Sequence, residues 1–349
     1  MEPRKRVTIK DVAREAGLSV AAVSQALRPT ERSTVKVSEA TRERVVAVAR
    51  KLDYRRHAGA GSIRSSRFQN VGFFVAKMGP RTRAPEGYLR GVVDGALLHD
   101  YRVVFSPVAT EAGEYRETVP GILREKNLDA LIITSHHAMT AEIHAELEGS
   151  GLPIVYLNDR HPHNAVYVDE AAGAREMTRH LVGSGYKRIA FLLRKSTMNP
   201  PLSRMHHSAR ERIDGYRRAM RAAGLEPDVR TVLMRDLVEE NQRMPEDWLP
   251  EGEPLPEAVF CYDDDLANSV AKLFYRRGIH VPRDVALAGY NGSYAALCAW
   301  CPLTTILLPT YEMGRAAFSM AMELVEAGGD ANVPSLKFMS TLSVGESTR

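Results

Sequence analysis

Val7-Thr8-Ile9-Lys10-Asp11-Val12-Ala13-Arg14-Glu15-Ala16-Gly17-Leu18-Ser19-Val20-Ala21-Ala22-Val23-Ser24-Gln25-Ala26-Leu27 reads as two short helices joined by a tight turn. Thr8 and Asp11 stand at capping-box spacing, where a hydroxyl caps a helix and a carboxylate three residues on reaches back. Ile9, Val12, Ala13 and Ala16 then share one helical face. Gly17 is placed to end that helix in the left-handed conformation. Ser19 is a good N-cap for a second helix, Val20 to Leu27. Two helices across a three-residue, glycine-containing turn predict a helix-turn-helix.

Working outward, Ser38 predicts the cap of a third helix whose apolar stripe is Val45, Val46, Ala49 and Leu52. Charge is spread unevenly over the 349 residues. Residues 1–67 carry a net +9 and the remainder a net −5. A basic, helical head on a mildly acidic body is the asymmetry of a nucleic-acid-binding domain attached to something else. No run of ~18 apolar residues predicts a membrane span. The basic start lacks the apolar stretch of a signal peptide, so a cytoplasmic chain is expected. Three cysteines do not make a disulfide framework. Cys298-Ala-Trp-Cys301 spells C-x-x-C, read either as two ordinary thiols or as a redox or metal pair lacking its second half.

The same stretch, with Val37-Ser38-Glu39-Ala40-Thr41-Arg42-Glu43-Arg44-Val45 and Leu52-Asp53-Tyr54, closely resembles the DNA-binding head of the lactose/purine repressor family of bacterial transcription regulators. The resemblance implies that the second helix enters the major groove of a double-stranded operator. Thr8, Ser19, Val20, Ala21, Ala22, Ser24 and Gln25 are then the candidate DNA contacts, while Val23 and Ala26 face the bundle. Serines suit phosphate, Val20 and Ala21 suit a thymine methyl or simply fill the helix, and Gln25 can pair with adenine through two hydrogen bonds. Residues 57–67 occupy the place of the family's hinge, with Ile63 where relatives carry a leucine that wedges into the minor groove. Arg56 replaces the usual proline, and Gly59 and Gly61 weaken a hinge helix, so a flexible linker is the alternative.

Beyond the hinge, apolar runs alternate with helical segments. Residues 71–75, 103–105, 130–133 and 154–157 read as buried strands, and the pattern restarts at 189–193, 258–261 and 285–288. Helices are expected at 90–98, 141–147, 171–182, 209–223 and 265–276. This predicts an α-helical helix-turn-helix head plus an α/β core of two doubly wound subdomains. The resemblance extends through Gly185-Tyr186-Lys187-Arg188-Ile189, Arg212-Ile213-Asp214-Gly215-Tyr216, Asp263-Asp264-Asp265-Leu266-Ala267 and Gly289-Tyr290-Asn291. It implies a core like a periplasmic sugar-binding protein. The expected division is a head over 1–56, a hinge over 57–67, a first subdomain over 68–168 and 310–333, and a second over 169–309 and 334–349.

Ligands in such folds sit beyond the carboxyl ends of the strands, here between the subdomains. The resemblance places four effector-binding candidates there: Asn158, Arg212, Asp263 and Asn291. Arg212 matches a family arginine that binds the effector; Asn291 stands where most relatives have Asp, and Asp263 where many have Asn. A basic fork, a carboxylate and amides suit a sugar or polyol. Asp263 read alone could cap a helix, and Arg212 could lie on a helix surface. The histidines at 136–137, 161, 163 and 206–207 could suggest a metal, but they fall in expected loops with no further ligand pattern and read as surface residues. No cofactor, metal or membrane partner is expected, and a homodimer on a near-palindromic operator is. A transport-type solute-binding protein would not need the basic head. An α/β enzyme would need a nucleophile elbow, phosphate loop or metal-spaced cluster that the sequence does not show.

Overall fold

The computed structural model describes residues 7–27, 35–54, 67–76, 85–108, 127–134, 141–196, 205–234, 248–249, 252–299, 301–328 and 331–348. The chain divides into two compact units, Met1–Phe68 and Gln69–Arg349.

The first unit holds three helices: α1 (Ile9–Ala16), α2 (Val20–Leu27) and α3 (Glu39–Lys51). Asp11 reaches back as expected, accepting from the Thr8 backbone N–H at 2.9 Å and the Thr8 hydroxyl at 2.7 Å. Gly17 ends α1 at φ 65°, where the Leu18 N–H reaches the Ala13 carbonyl at 3.0 Å. A Cβ at Gly17 would meet no neighbour, so the requirement there is conformational rather than steric. Val12, Ala13, Ala16, Val23, Ala26, Val45 and Ala49 form the small core. Val48, not Val46, joins Leu52 beside that core. A position three residues from Val45 continues its face, and one residue away turns by a hundred degrees.

The second unit is built on two parallel sheets, as expected for the fold class. The strands are β1 (Asn70–Ala76), β2 (Arg102–Val108), β3 (Ala130–Thr134), β4 (Ile154–Leu157), β5 (Ala165–Val168), β6 (Ile189–Ser196), β7 (Asp228–Met234), β8 (Ala258–Cys261), β9 (Ala286–Ala288), β10 (Thr305–Leu307), β11 (Leu336–Phe338) and β12 (Thr341–Ser343). The first sheet runs β11-β5-β4-β3-β1-β2, the second β7-β6-β8-β9, and β10 pairs with β12. The helices are α4 (Glu86–Leu98), α5 (Ala141–Glu148), α6 (Glu170–Gly183), α7 (His207–Ala222), α8 (Asp264–Arg276), α9 (Tyr294–Leu297) and α10 (Thr310–Glu326).

The chain leaves the first sheet after β5, completes the second, and returns through α10. Gly87, Gly91 and Gly95 line one side of α4, and α10 packs on it backbone to backbone. A Cβ on Gly91 would lie 2.2 Å from the Tyr311 carbonyl oxygen, and one on Gly314 would lie 2.4 Å from that of Tyr88. Met313, Ala317 and Phe318 of α10 are thereby buried against Phe73, Val92 and Ile132 of the first core. The expected boundary at 334 needs correction: β11 pairs in parallel with β5, Leu336 opposite Val166. The last return therefore follows Phe338. The tail then closes on the second sheet, with Ser347 Oγ donating to the Leu287 carbonyl at 2.6 Å.

Candidate nucleic-acid interface and ligand cleft

On α2, Ser19, Val20 and Ala21 are exposed, Ala22, Ser24 and Gln25 half-buried, and Val23 and Ala26 buried. The helix thus leaves one side open and buries the other. Ser19 accepts from the Ala22 N–H at 3.1 Å, so its hydroxyl oxygen also caps α2. Thr8, the residue before α1, is exposed. The wedge candidate Ile63 lies outside the described residues, as do His136 and His137.

In the second unit, the carboxyl ends of both sheets supply the other candidates. Arg212 lies on α7 with its side chain 4% exposed, which removes the surface-helix alternative. Its guanidinium donates Nε–H to Glu170 Oε2 at 2.9 Å and Nη2–H to Glu170 Oε1 at 3.1 Å. Nη2 also donates to Asn291 Oδ1 at 3.0 Å, and Nη1 to the Tyr262 carbonyl at 2.6 Å. The cation is stacked over the rings of Tyr290 at 3.7 Å and Tyr262 at 4.6 Å. Burial works against its charge, but the Glu170 carboxylate more than offsets this and raises its pKa. Glu170, the first residue of α6, is fully buried and was not among the sequence candidates.

Asn291 is held at φ 101°, its N–H donating to the Ile306 carbonyl at 2.9 Å. The structure thus brings Arg212 and Asn291 together. Asp263, the residue after Tyr262, accepts the Leu266 N–H through Oδ1 at 2.8 Å, capping α8, and its Oδ2 faces Arg194 at 3.4 Å. Asn158 follows β4 at φ 61°, donating its N–H to the Val166 carbonyl at 2.7 Å. Its carbonyl accepts from His206 Nε2 at 2.6 Å, a bond from the first subdomain to the N-cap of α7 in the second. His206 is therefore buried, against the surface placement expected for it. Capping α7 and bonding Asn158 together draw it inward. His161 is half-buried, stacked on Tyr156, whereas His163 is exposed.

Several buried polar atoms at this end of the first sheet have no hydrogen-bond partner among the described residues. They are the Tyr88 hydroxyl, Thr134 Oγ1 at the end of β3, and Asn158 Oδ1. Tyr88 is close enough to Glu170 and Arg212 for both to act on its hydroxyl electrostatically. Native proteins seldom leave such atoms unsatisfied, so these are the atoms a water or a ligand in the cleft could meet.

Asp264 has a different task. It is fully buried, accepting from the Thr305 hydroxyl at 2.6 Å and the Ser293 N–H at 2.7 Å. Burial raises its pKa to about 6, against the pull of those bonds. The folded state therefore keeps a proton that the unfolded chain has already lost above pH ~4. Its contribution to stability is full below that point and is lost as pH rises through about 6, by an amount on the order of 3 kcal/mol. Urea titrations at pH 4.5 and 6.5 (approximate bracketing values) are expected to show less of this decline in Asp264→Asn than in the wild type. Equal slopes in the two proteins would contradict the assignment.

A compact helix-turn-helix head and a two-subdomain α/β core with a polar cleft are the parts of a DNA-binding transcription regulator. Comparison with known proteins agrees. Residues 8–57 match the model for bacterial regulatory proteins of the lacI family, and residues 178–348 match that for a periplasmic binding protein-like domain. The chain belongs to the lacI family and is a DNA-binding transcription regulator. It is 28% identical over 323 residues to the HTH-type transcriptional regulator RegA of Clostridium saccharobutylicum, covering 91% of this chain and 92% of that one. It is also 28% identical over 333 residues to the regulator CelR of Thermobifida fusca, covering 93% of each. The lac repressor dimer bound to operator and the anti-inducer ONPF shares the fold, with TM-score 0.78 at 24% identity over 99% of both chains. A CelR–cellobiose complex superposes with TM-score 0.68 at 25% identity, over 98% of this chain and 100% of that one.

Proposed function

We propose that this regulator is a repressor acting as a homodimer on a near-palindromic operator, and that an uncharged sugar or polyol bound between its subdomains sets its operator affinity. The observation that carries the effector class is the charge state of the cleft. Arg212 is neutralised by the buried Glu170 carboxylate, while among the described residues the atoms left without partners there are the neutral hydroxyls of Tyr88 and Thr134 and the amide of Asn158, with the ring nitrogens of His207 beside them. A polyhydroxylated ligand offers donors and acceptors to such atoms; an anion would find the nearby cation already paired. The relatedness to CelR and the likeness to its cellobiose complex support the same class. Repression is supported by the kinship to repressors named PurR in Vibrio species.

On DNA, Ser19 and Ser24 would contact phosphates and Val20, Ala21 and Ala22 would pack against base edges. Gln25 would read an adenine, with Thr8 and Ile63 as further contacts. The core switches the head because a ligand that prefers one closure of the cleft shifts the population of that closure by its differential affinity. The test begins with operator selection from random DNA, followed by fluorescence anisotropy across a sugar library. At least one sugar is expected to change operator affinity; no response to any neutral sugar would remove the effector reading. Gln25→Ala is expected to weaken the selected site by about 1–3 kcal/mol and to relax preference at one position of each half-site. Uniform weakening on every operator variant would assign Gln25 to the phosphates instead.

A further inference from the structure

We propose that Asp159, His206 and His207 form a site for a divalent transition-metal ion, with zinc the best match, which ties the two subdomains together. Asp159 lies just after β4 in the first subdomain. His206 and His207 open α7 in the second. Each offers one ligand atom, and these atoms all lie within 4.8 Å of one another. Four-coordinate zinc, with ligand bonds of about 2.0–2.2 Å, sets ligand atoms about 3.4 Å apart. At most about 1.4 Å of approach between any two of them closes the difference. Two imidazoles and one carboxylate are a donor set for zinc or iron rather than for calcium or magnesium, which take oxygen.

Metal binding requires a carboxylate and imidazole nitrogens with a free lone pair. The independent pointer to a ligand is His207 itself. Both its ring nitrogens are buried, and neither has a hydrogen-bond partner among the described residues. A neutral imidazole carries one donor and one acceptor, so this ring leaves both unsatisfied.

The groups that would orient the ligands are already in place. His206 Nδ1 lies 2.8 Å from Ser208 Oγ, and that hydroxyl lies 2.7 Å from the Tyr262 hydroxyl. To bind metal through Nε2, His206 would move its single proton from Nε2 to Nδ1 and donate it to Ser208 Oγ, giving up the bond that Nδ1 now accepts from the Ser208 N–H at 3.3 Å. No net proton is released by this change of tautomer. The Asn158 carbonyl, which now accepts from Nε2 at 2.6 Å, is then freed as an oxygen beside the ion. His161 Nε2, 3.3 Å from Asp159 Oδ2, steadies the carboxylate. Because the ligands come from both subdomains, the ion favours the arrangement in which they meet and so biases closure.

The test uses the full chain after treatment with a chelator and titration with zinc chloride by calorimetry. One zinc per chain is expected. His207→Ala and Asp159→Asn should each weaken binding by at least about tenfold, a change of about 1.4 kcal/mol, with the far-ultraviolet circular dichroism unchanged. The isosteric Asp159→Asn decides the matter if His207→Ala does not fold. Cys298→Ser with Cys301→Ser is expected to bind as the wild type does, and cobalt loading to give tetrahedral d–d bands without thiolate charge transfer. Zinc binding unchanged in Asp159→Asn, a cobalt spectrum of thiolate character, or no zinc binding by the wild type would overturn the proposal. These readouts need neither DNA nor sugar, so they stand or fall separately from the regulatory reading.

Discussion

Arg212→Ala is expected to destabilise the core by about 3–5 kcal/mol, the usual consequence of removing one partner from a buried ion pair. The loss leaves the Glu170 carboxylate, with no exposed surface, without its two charge-assisted bonds. It also strips Asn291 Oδ1 and the Tyr262 carbonyl of a donor. A guanidinium has five N–H groups, of which these contacts use four. Its remaining capacity toward a ligand is one N–H, so most of its effect on the cleft is through positioning Asn291, Tyr262 and Tyr290. Loss of effector response in Arg212→Ala would therefore mix binding with folding. Arg212→Met combined with Glu170→Leu separates them, because removing both charges avoids the uncompensated carboxylate. Urea denaturation is expected to show the double variant more stable than Arg212→Ala. A single-variant cost below about 1 kcal/mol, the range of an exposed pair, would show that the pair is solvated in solution.

This pair also marks the limit of what was legible in the sequence. Arg212 and Asn291 were picked out by resemblance, and they do meet. Glu170 looks in sequence like any acid in the first turn of a helix, following the N-cap Asp169. Its partner lies forty-two positions away, and nothing local signals that it is buried. Asp263 shows the opposite case: the local capping alternative describes a hydrogen bond that it makes. Local chemistry is readable wherever the partner is within one helical turn.

The same distinction explains the strands. Ala130–Thr134 and Ile154–Leu157 are buried throughout and stand out as apolar runs. The β10, β11 and β12 segments have three residues each, too few for a period, and exist because partners align them. The edge strand β7, Asp228–Met234, mixes Asp228, Arg230 and Thr231 with apolar residues, as an edge permits. Helix α10 was absent from the expectations although Met313, Ala317, Ala321 and Leu324 give a legible helical stripe. The head was read most fully because its caps and its core lie within one short stretch. His206 was misplaced because its burial depends on a carbonyl forty-eight positions away.

A chain beginning at Gln69 is expected to lose operator affinity by at least about a thousandfold while keeping any response of the core to its effector. The break falls between the two compact units. The specific contribution is removed with α2, which presents Ser19, Val20 and Ala21. The electrostatic contribution is removed with the net +9 of residues 1–67, leaving a core of net −5 that a polyanion repels. Phosphate contacts account for the salt-dependent affinity of DNA-binding proteins, and base contacts for a further factor of about 10³–10⁷ over non-specific sites. Both should vanish together, so the salt dependence of binding should disappear with the affinity. Ligand binding should survive, because the first core cluster is formed by residues after position 70 and the Arg212–Glu170 pair lies wholly within the core. Anisotropy on operator DNA at two salt concentrations, with calorimetry on the sugar identified for the full chain, measures both halves. A core that still binds operator within about tenfold of the intact protein, on the scale where 1.4 kcal/mol is a factor of ten, would place DNA recognition outside the head.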